Sequence, residues 1–336
     1  MSPEPAPADV IGAATPAHDL VLIPTFNDWT ALGLLIPQLA SELVAHGRVA
    51  SLLIVDDSST DPVPGDLIRS RLEGFLSVDV LTLARNVGHQ RAIAVGLSYV
   101  ASECDPRVVV IMDGDGEDLP TDVPRLLSQF DIFEGRRVVF AQRTRRSEGA
   151  AFSFFYALYR MAHWLLTGLR VQVGNFSALP MASVKKLVVG SDLWNHYAAA
   201  VIQSRLPTAL VPTTRGHRLA GKTTMNFVAL VSHGLSAMSV FADRIGVRIL
   251  LASIFLMAML VAGVAIAFIV HITDPFTISS WVPIAIWMLV VLLGQAAMLA
   301  VIFIFIIQGG RATSSFIPAR DYRLFVASVL RLYGDK

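Results

Sequence analysis

Val108-Val109-Val110-Ile111-Met112-Asp113-Gly114-Asp115-Gly116-Glu117-Asp118-Leu119-Pro120 decides the fold. Five apolar residues, four of them β-branched, stop at a run of four carboxylates spaced by glycines. Val108 to Met112 reads as a strand, and the acidic run begins at its carboxyl end. Three earlier stretches repeat the pattern. Leu20 to Pro24 reads as a strand and is followed by Pro24-Thr25-Phe26-Asn27-Asp28. Ser51 to Asp56 precedes Asp56-Asp57-Ser58-Ser59-Thr60-Asp61, and Val78 to Leu83 precedes Arg85-Asn86-Val87-Gly88-His89-Gln90. Helical stretches lie between them: Trp29 to His46, Asp66 to Leu76 and Gln90 to Ser102. Strands alternating with helices imply βαβ units, an α/β fold and a mostly parallel sheet. Ligands of such sheets bind just beyond the carboxyl ends of the strands, which is where all four polar clusters fall.

The Asp113-Gly114-Asp115 pair, with Glu117 two residues on, is the sharpest signal. Hard divalent cations take carboxylate and phosphate oxygens, and Mg²⁺ or Mn²⁺ shares its shell with substrate phosphates. An Asp-x-Asp on an extended end can offer such oxygens to a cation on a diphosphate. A calcium loop does not fit, because its twelve-residue ligand spacing is missing. A plain solvated acidic turn does not account for the other three strand ends. Ser58 to Asp61 reads as turn and capping residues. The doubled Asp56-Asp57 is not explained that way; a carboxylate there can accept from a base N–H or from ribose hydroxyls. Arg85 is either a surface cation or a phosphate contact.

Composition separates a second region. Hydrophobic residues make up 54% of the 336 and charged residues 16%, where a soluble domain carries about 25% charged. The excess is concentrated late. Ile249 to Val270 and Trp281 to Ile307 carry no charge, and each as a helix spans at least the bilayer core of about 30 Å. The connector from His271 to Ser280 has no Lys or Arg, whereas Arg244, Arg248, Arg311, Arg320 and Arg323 flank the pair. The positive-inside rule puts both flanks, and the N-terminal region, in the cytoplasm. Trp281 and Trp287 suit an aromatic belt. The aromatic stretch from Phe152 to Trp164 has helical spacing and reads as interfacial or packed on the soluble domain. Tyr322, Phe325, Val326, Val329, Leu330 and Tyr333 form a stripe that predicts an amphipathic helix on a membrane surface. Net charge is +1 and gives no pointer to nucleic acid; the lone Cys104 cannot form an internal disulfide. The expected organisation is a flexible Pro- and Ala-rich tail over 1–17, without a secretory pattern, an α/β domain over 18–225 and a juxtamembrane amphipathic helix over 226–247. Transmembrane helices over 248–271 and 280–307 and a cytoplasmic tail with an amphipathic helix over 308–336 complete it.

With these motifs in view, the chain resembles glycosyltransferase family 2, and within it the polyisoprenyl-phosphate glycosyltransferases and dolichol-phosphate mannose synthases. The resemblance rests on Ile23-Pro24-Thr25-Phe26-Asn27-Asp28, Val55-Asp56-Asp57-Ser58-Ser59-Thr60-Asp61, Arg85-Asn86-Val87-Gly88-His89-Gln90 and Asp113-Gly114-Asp115-Gly116-Glu117-Asp118-Leu119-Pro120. It covers about Asp19 to Arg248, and the helical hairpin fits it. It implies the GT-A (Rossmann-like) fold, a nucleotide-sugar donor (UDP favoured over GDP), Mg²⁺ or Mn²⁺, and inversion at the anomeric carbon. By motif position, Pro24, Asp28, Asp57, Arg85 and Asp113 would line the nucleotide-sugar, and Asp113, Asp115 and Glu117 would hold the metal.

Two basic groups remain: Arg143, Arg145 and Arg146, after a strand from Val138 to Ala141, and Arg215, Arg218 and Lys222. They read either as a rim facing anionic lipid or as the acceptor-phosphate site, in which Arg143, Arg145, Arg218 and Lys222 act. A phosphate acceptor is largely ionised near neutral pH, with a second pKa of about 6, so it needs no general base; Asp192 is the one carboxylate in the second half with a candidate base role. Asp113, Asp115 and Arg143 are the expected catalytic residues. Expected partners are the nucleotide-sugar, a polyisoprenyl phosphate and the membrane; no nucleic acid is expected, and a homo-oligomer is compatible. Relatives usually carry Asp at Asn175 and Ser-Lys near Thr223-Thr224, departures that bear on the acceptor contacts. A processive synthase would carry Gln-x-x-Arg-Trp, which is missing. A non-catalytic membrane scaffold would not need Asp113, Asp115 and Glu117.

Overall fold

The computed structural model describes residues 18–65, 67, 72–143, 160–169, 173–221, 227–273, 282–312 and 316–334. Two compact units emerge. The first takes in Met1–Arg146, Val173–Thr224 and Ile317–Lys336, the second Ser147–Gln172 and Met225–Phe316.

The first unit is built on one eight-stranded sheet. Its strands are β1 (Asp19–Thr25), β2 (Ala50–Asp56), β3 (Phe75–Leu83), β4 (Val108–Ile111), β5 (Val138–Arg143), β6 (Ser177–Pro180), β7 (Thr208–Thr213) and β8 (Val326–Tyr333), in the order β7-β5-β6-β4-β1-β2-β3-β8. The centre is parallel: β1 pairs with β2 and β4, and β2 with β3. β6 runs antiparallel to β4 and β5, and β8 antiparallel to β3. Uninterrupted apolar strands are what a sheet covered on both faces requires, and successive residues serve opposite faces. Val21 and Ile23 of β1 pack with Leu32, Leu35 and Leu39 of α1 (Trp29–Ala45) and Leu126 and Leu127 of α3 (Asp122–Ile132). Leu20 and Leu22 pack with Ile93 and Leu97 of α2 (His89–Glu103), Val184 of α4 (Met181–Leu187) and Val201 of α5 (Tyr197–Gln203). Each fully buried Leu or Val in these layers contributes about 1.5–3 kcal/mol of transfer free energy. The α/β expectation holds, with each motif at the carboxyl end of its strand.

Two local expectations change. Of the helix expected from Asp66 to Leu76, positions 66 and 68–71 lie outside the described residues; the described end is not helical, 72–74 leading through a turn into β3, which Phe75 and Leu76 open. The C-terminal stripe is not a surface helix. After a short helix α9 (Pro318–Asp321) and a tight turn, Val326–Tyr333 forms β8 against β3. The physical reason is a vacant neighbour. Without β8, β3 would be a bare edge of unpaired N–H and C=O groups. The sequence Val-Ala-Ser-Val-Leu-Arg-Leu-Tyr suits a half-buried strand. Arg331 reaches Asp79 of β3 at 2.7 Å, and Leu332 and Tyr333 pack against the core.

The second unit is helical: residues 160–167, α6 (Phe227–Ser239), α7 (Ala242–Thr273) and α8 (Val282–Ala312). Ala242–Val270 and Val282–Ile306 are long and apolar enough to cross a membrane, and only 6% of their most apolar windows is buried. Helices so apolar and so uncovered are not the core of a soluble fold. Gly246 of α7 lies against Ile304 of α8, and Ser253, Met257 and Val261 share a shallow space with Ala297, so the two form an antiparallel pair. The first long apolar helix is continuous with the stretch before it from Ala242, so only Phe227–Ser239 remains as a separate helix ahead of it. At its base, Arg248 donates to the carbonyls of Trp164 and Leu165, at 3.4 and 2.9 Å, which fastens the helical stretch 160–167 to α7. The tail over 1–17, Phe152 to Tyr159 and Trp281 lie outside the described residues.

Candidate active site

The loops at the carboxyl ends of β1, β2, β3 and β4 are tied to one another by their own motif residues. Asn27, with φ +53°, accepts Thr60 N–H at 2.8 Å through Oδ1, and its backbone N–H donates to Ser59 Oγ at 2.8 Å. Asp56 Oδ1 accepts Ser59 N–H at 3.0 Å, so Ser58 to Asp61 form a turn held by Asp56 and Asn27. Asp57 accepts Val87 N–H at 2.7 Å and Gly88 N–H at 2.8 Å, one on each oxygen. That pins the loop behind β3 to the end of β2. Burial raises the Asp57 carboxyl above its usual value, and the two backbone bonds offset this only in part. Thr25 is buried at the end of β1, and its hydroxyl has no hydrogen-bond partner among the described residues, an orphan that a ligand's polar group would satisfy.

The acidic run after β4 is held differently, by cations from distant loops. Arg143, at the end of β5, donates to Asp118 Oδ1 at 3.0 Å; Asp118 Oδ2 accepts Asp113 N–H at 3.0 Å. Burial holds Asp118 well above the usual carboxylate range despite that partner. Arg215 forks onto Glu117 Oε2 at 2.9 and 2.5 Å. Arg218 bridges Asp115, at 3.1 Å, and Asp28. Desolvation raises Asp115 as well, with Asp113 and Glu117 adding to it and Arg218 opposing. His89, first residue of α2, brings Nε2 to 3.2 Å from Asp113 Oδ1. Its side chain is exposed, 43%; desolvation would lower its pKa, but Asp113, aided by Asp118 and Asp115, carries it above the usual histidine value.

One polar chain was not legible as such in the sequence. Tyr197 N–H donates to Gln90 Oε1 at 2.8 Å, Gln90 Nε2 donates to Asn175 Oδ1 at 3.0 Å, and Asn175 Nδ2 lies 3.0 Å from His89 Nε2. Ser177 joins it from below through Asn175 O and the buried Tyr197 hydroxyl, at 2.8 and 2.7 Å. His89 and Gln90 stand in a motif the sequence singles out, and Asn175 is a departure from the family pattern. Nothing local says that they meet.

The expected residues therefore divide. Asp28, Asp113, Asp115, Glu117, Arg143 and Arg218 belong to one network of loops, and Asp57 and the buried end of β1 at Pro24 lie beside it. Arg85 goes elsewhere: its guanidinium sits over the Phe325 ring at 5.9 Å, towards β8. Asp192 lies in the turn Ser191–Trp194 before α5. Arg145, Arg146 and Lys222 lie outside the described residues. Among the described residues, no three acidic, histidine or cysteine side chains converge as an ion-holding cluster. The donor set is all hard oxygen, and Mg²⁺ needs only one or two carboxylates when phosphates complete its shell. Asp113, Asp115 and Glu117 offer such oxygens, although Arg218 engages Asp115 and Arg215 engages Glu117.

The model of the family described as glycosyl transferase family 2 matches residues 20–187. Among curated proteins, undecaprenyl-phosphate 4-deoxy-4-formamido-L-arabinose transferases of Salmonella paratyphi B and Salmonella newport are each 23% identical over 224 residues, covering 63% of this chain and 64% of theirs. The chain thus spans just under two thirds of those relatives' length. Among solved structures, mannosyl-3-phosphoglycerate synthase from Rubrobacter xylanophilus is similar, with a TM-score of 0.49 and 17% identity over 68% of this chain and 74% of that one. So is glucosyl-3-phosphoglycerate synthase from Mycobacterium tuberculosis, solved with Mn²⁺ and uridine-diphosphate-glucose, at 0.48 and 20% over 69% and 80%. The family match takes in half of the chain and all four strand-end motifs, on a mixed α/β sheet of the GT-A, Rossmann-like kind: the chain belongs to glycosyl transferase family 2.

Proposed function

We propose that the protein is an inverting glycosyltransferase that moves a hexose-type sugar from a nucleotide-sugar, UDP favoured, onto a polyisoprenyl phosphate at the cytoplasmic face of a membrane. The observation that carries this reading is the meeting of acids and guanidiniums at one sheet edge. Asp28, Asp113 and Asp115 come from the ends of β1 and β4, and Arg143 and Arg218 from those of β5 and β7. The undecaprenyl-phosphate acceptor in the relatives' names and the two apolar helices support a lipid acceptor.

In this reading Asp57 and the end of β1 receive the nucleoside. Asp113 and Asp115 would hold a divalent cation, which would supply charge neutralisation as the nucleoside diphosphate leaves. Arg143 and Arg218, with Arg145 and Lys222, orient the acceptor phosphate, whose oxygen is ionised and attacks without a base. The spans tether the transferase unit to the bilayer, with both flanks cytoplasmic by the positive-inside rule. Met161, Trp164 and Leu165, exposed on the helical stretch 160–167, suit the interface.

The test is transfer of radiolabelled sugar by the purified full-length chain to undecaprenyl phosphate, with a panel of UDP- and GDP-sugars. Lipid-linked product from a UDP-sugar, lost with EDTA, is expected. Product from GDP-mannose alone would replace the donor assignment with that of a dolichol-phosphate-mannose-type enzyme. Transfer to soluble acceptors but never to lipid phosphate would overturn the acceptor.

A further inference from the structure

Three loops that lie far apart in the chain meet at one guanidinium. Arg218 Nη1 donates to Asp115 Oδ2 at 3.1 Å, Nη2 to Asp28 Oδ2, and Nε to the Ala220 carbonyl at 2.9 Å. Asp28 stands just before α1, behind β1, and Asp115 follows β4, the strand that pairs with β1. A single cation therefore spans the ends of two adjacent strands.

The fork is held by its backbone. Leu219 N–H donates to Asp115 O at 2.9 Å and Gly216 N–H to Glu117 O at 2.8 Å, so the strap 216–219 lies along the acidic loop. Glycines permit the approach. A Cβ on Gly116, with φ +88°, would fall 2.5 Å from Leu219, and one on Gly216 would fall 2.5 Å from the Gly116 carbonyl. Arg215 fastens the near end of the strap to Glu117. Arg218 is in this way presented to Asp28 and Asp115 rather than meeting them by chance on a free surface.

Both oxygens of Asp115 are consequently engaged: Oδ1 accepts Glu117 N–H at 2.9 Å, and Oδ2 accepts Arg218. A divalent cation taking an Asp115 oxygen would stand within a few ångströms of the guanidinium, and like charges at that range repel strongly. Phosphate oxygens arriving with the cation offer the guanidinium a bidentate partner at least as good as a carboxylate. We propose that Arg218 is an internal counter-cation: it holds Asp28 and Asp115 in the free protein and is exchanged for a divalent cation when a phosphate-bearing substrate arrives. The exchange rests on the metal reading given under the proposed function. It makes the cation bind with positive coupling to a phosphate-bearing substrate, the nucleoside diphosphate or the lipid phosphate assigned to Arg218 above, because the second ligand takes the arginine that the first displaces.

The test is Mn²⁺ titration of the full-length chain in detergent, read from the electron paramagnetic resonance signal of free Mn²⁺, with and without UDP. Without nucleotide, Arg218→Gln should bind Mn²⁺ about tenfold more tightly than wild type, the scale of one unit charge removed a few ångströms from a divalent ion in a solvated site. UDP should then tighten Mn²⁺ binding more in wild type than in the variant. If Arg218→Gln does not fold, as its thermal melt would show, Arg218→Lys takes its place. It keeps the charge but cannot reach both carboxylates in a fork, and should gain a smaller factor, about threefold. Unchanged or weaker Mn²⁺ binding in the folded variants, with UDP-dependent Mn²⁺ binding intact in wild type, overturns the exchange and leaves the metal reading standing. No Mn²⁺ binding by wild type even with UDP or GDP overturns both.

Discussion

The sheet carries a charged cluster at each end, and the two are built on opposite terms. At the amino ends of the strands, Arg48 and Arg107 each reach both Asp19 and Asp131, closing a ring of two acids and two cations. Arg107 also lies over the Phe130 ring at 5.2 Å. Burial alone would raise Asp131, but hydrogen bonds from Arg48 and Arg107 bring its carboxyl below the usual value. At the carboxyl ends Asp57, Asp115 and Asp118 are all raised, desolvation outweighing their partners. The first cluster is charge-balanced and stabilises the fold. Among the described residues, the second holds more acid than its cations neutralise. The two clusters differ in the direction in which the fold pushes their carboxylates.

Substitutions at the two ends should therefore differ in sign. The largest effect is expected for Asp115→Asn, which should lower lipid-linked transfer by about 10²–10³-fold and leave the ligand-free melting temperature equal or higher. The Asp115 pKa is raised in the fold, so its ionisation disfavours the folded state as pH rises through the raised value. Relative to wild type, the Asn variant should gain stability from pH 4 towards 7. Melting scans across that range check it, and a large loss of stability at pH 7 would put both clusters in the same structural class.

Ending the chain at Phe325 removes β8 and with it the Arg331–Asp79 pair and the Leu332 and Tyr333 contacts. A loss of about 3 kcal/mol is expected from the apolar surface uncovered. It should be concentrated along β3, which β8 pairs from Val78 to Leu83. Hydrogen exchange should show β3 opening while the ring of Asp19, Arg48, Arg107 and Asp131 stays protected. Equal opening of β3 and the ring would remove the contrast.

The smallest effect is expected at Asp131→Asn. The side chain is 38% exposed, so solvent screening limits the loss to about 1 kcal/mol at pH 7. Its pKa is depressed, so its contribution is present above the unfolded value of 3.8 and fades as pH falls through the folded one. The gap from wild type should close on acidification, as for Asp115→Asn, but with wild type the more stable form at pH 7, and transfer at saturating substrate should be unchanged.

Much of the fold is readable without knowledge of any contact. β1, α1, β2, α2 and β4 fall within a residue or two of the boundaries that their apolar runs imply, because burial on both faces of a sheet imposes an apolar run directly. The acids of the candidate site are readable for the same reason: they stand where such runs end. Their partners are not. Arg218 meets Asp28 across 190 positions and Asp115 across 103, and the relay from Gln90 to Asn175 crosses 85. The last strand escapes a local reading because Val326, Val329, Leu330 and Tyr333 satisfy a helical period over a segment too short to decide. Its ladder partner β3 lies some 250 positions earlier.

The amino-acid sequence by itself determined the alternation of strands and helices, the acidic strand ends and the two apolar spans. Each is set by the solvent that a local stretch can tolerate. The tertiary structure alone decided which cation neutralises which carboxylate, that Arg85 turns towards Phe325, and that the chain after the second span completes the sheet. Those outcomes depend on the strand order β7-β5-β6-β4-β1-β2-β3-β8, and the order arises from packing and pairing between segments far apart in the chain, which no local pattern encodes.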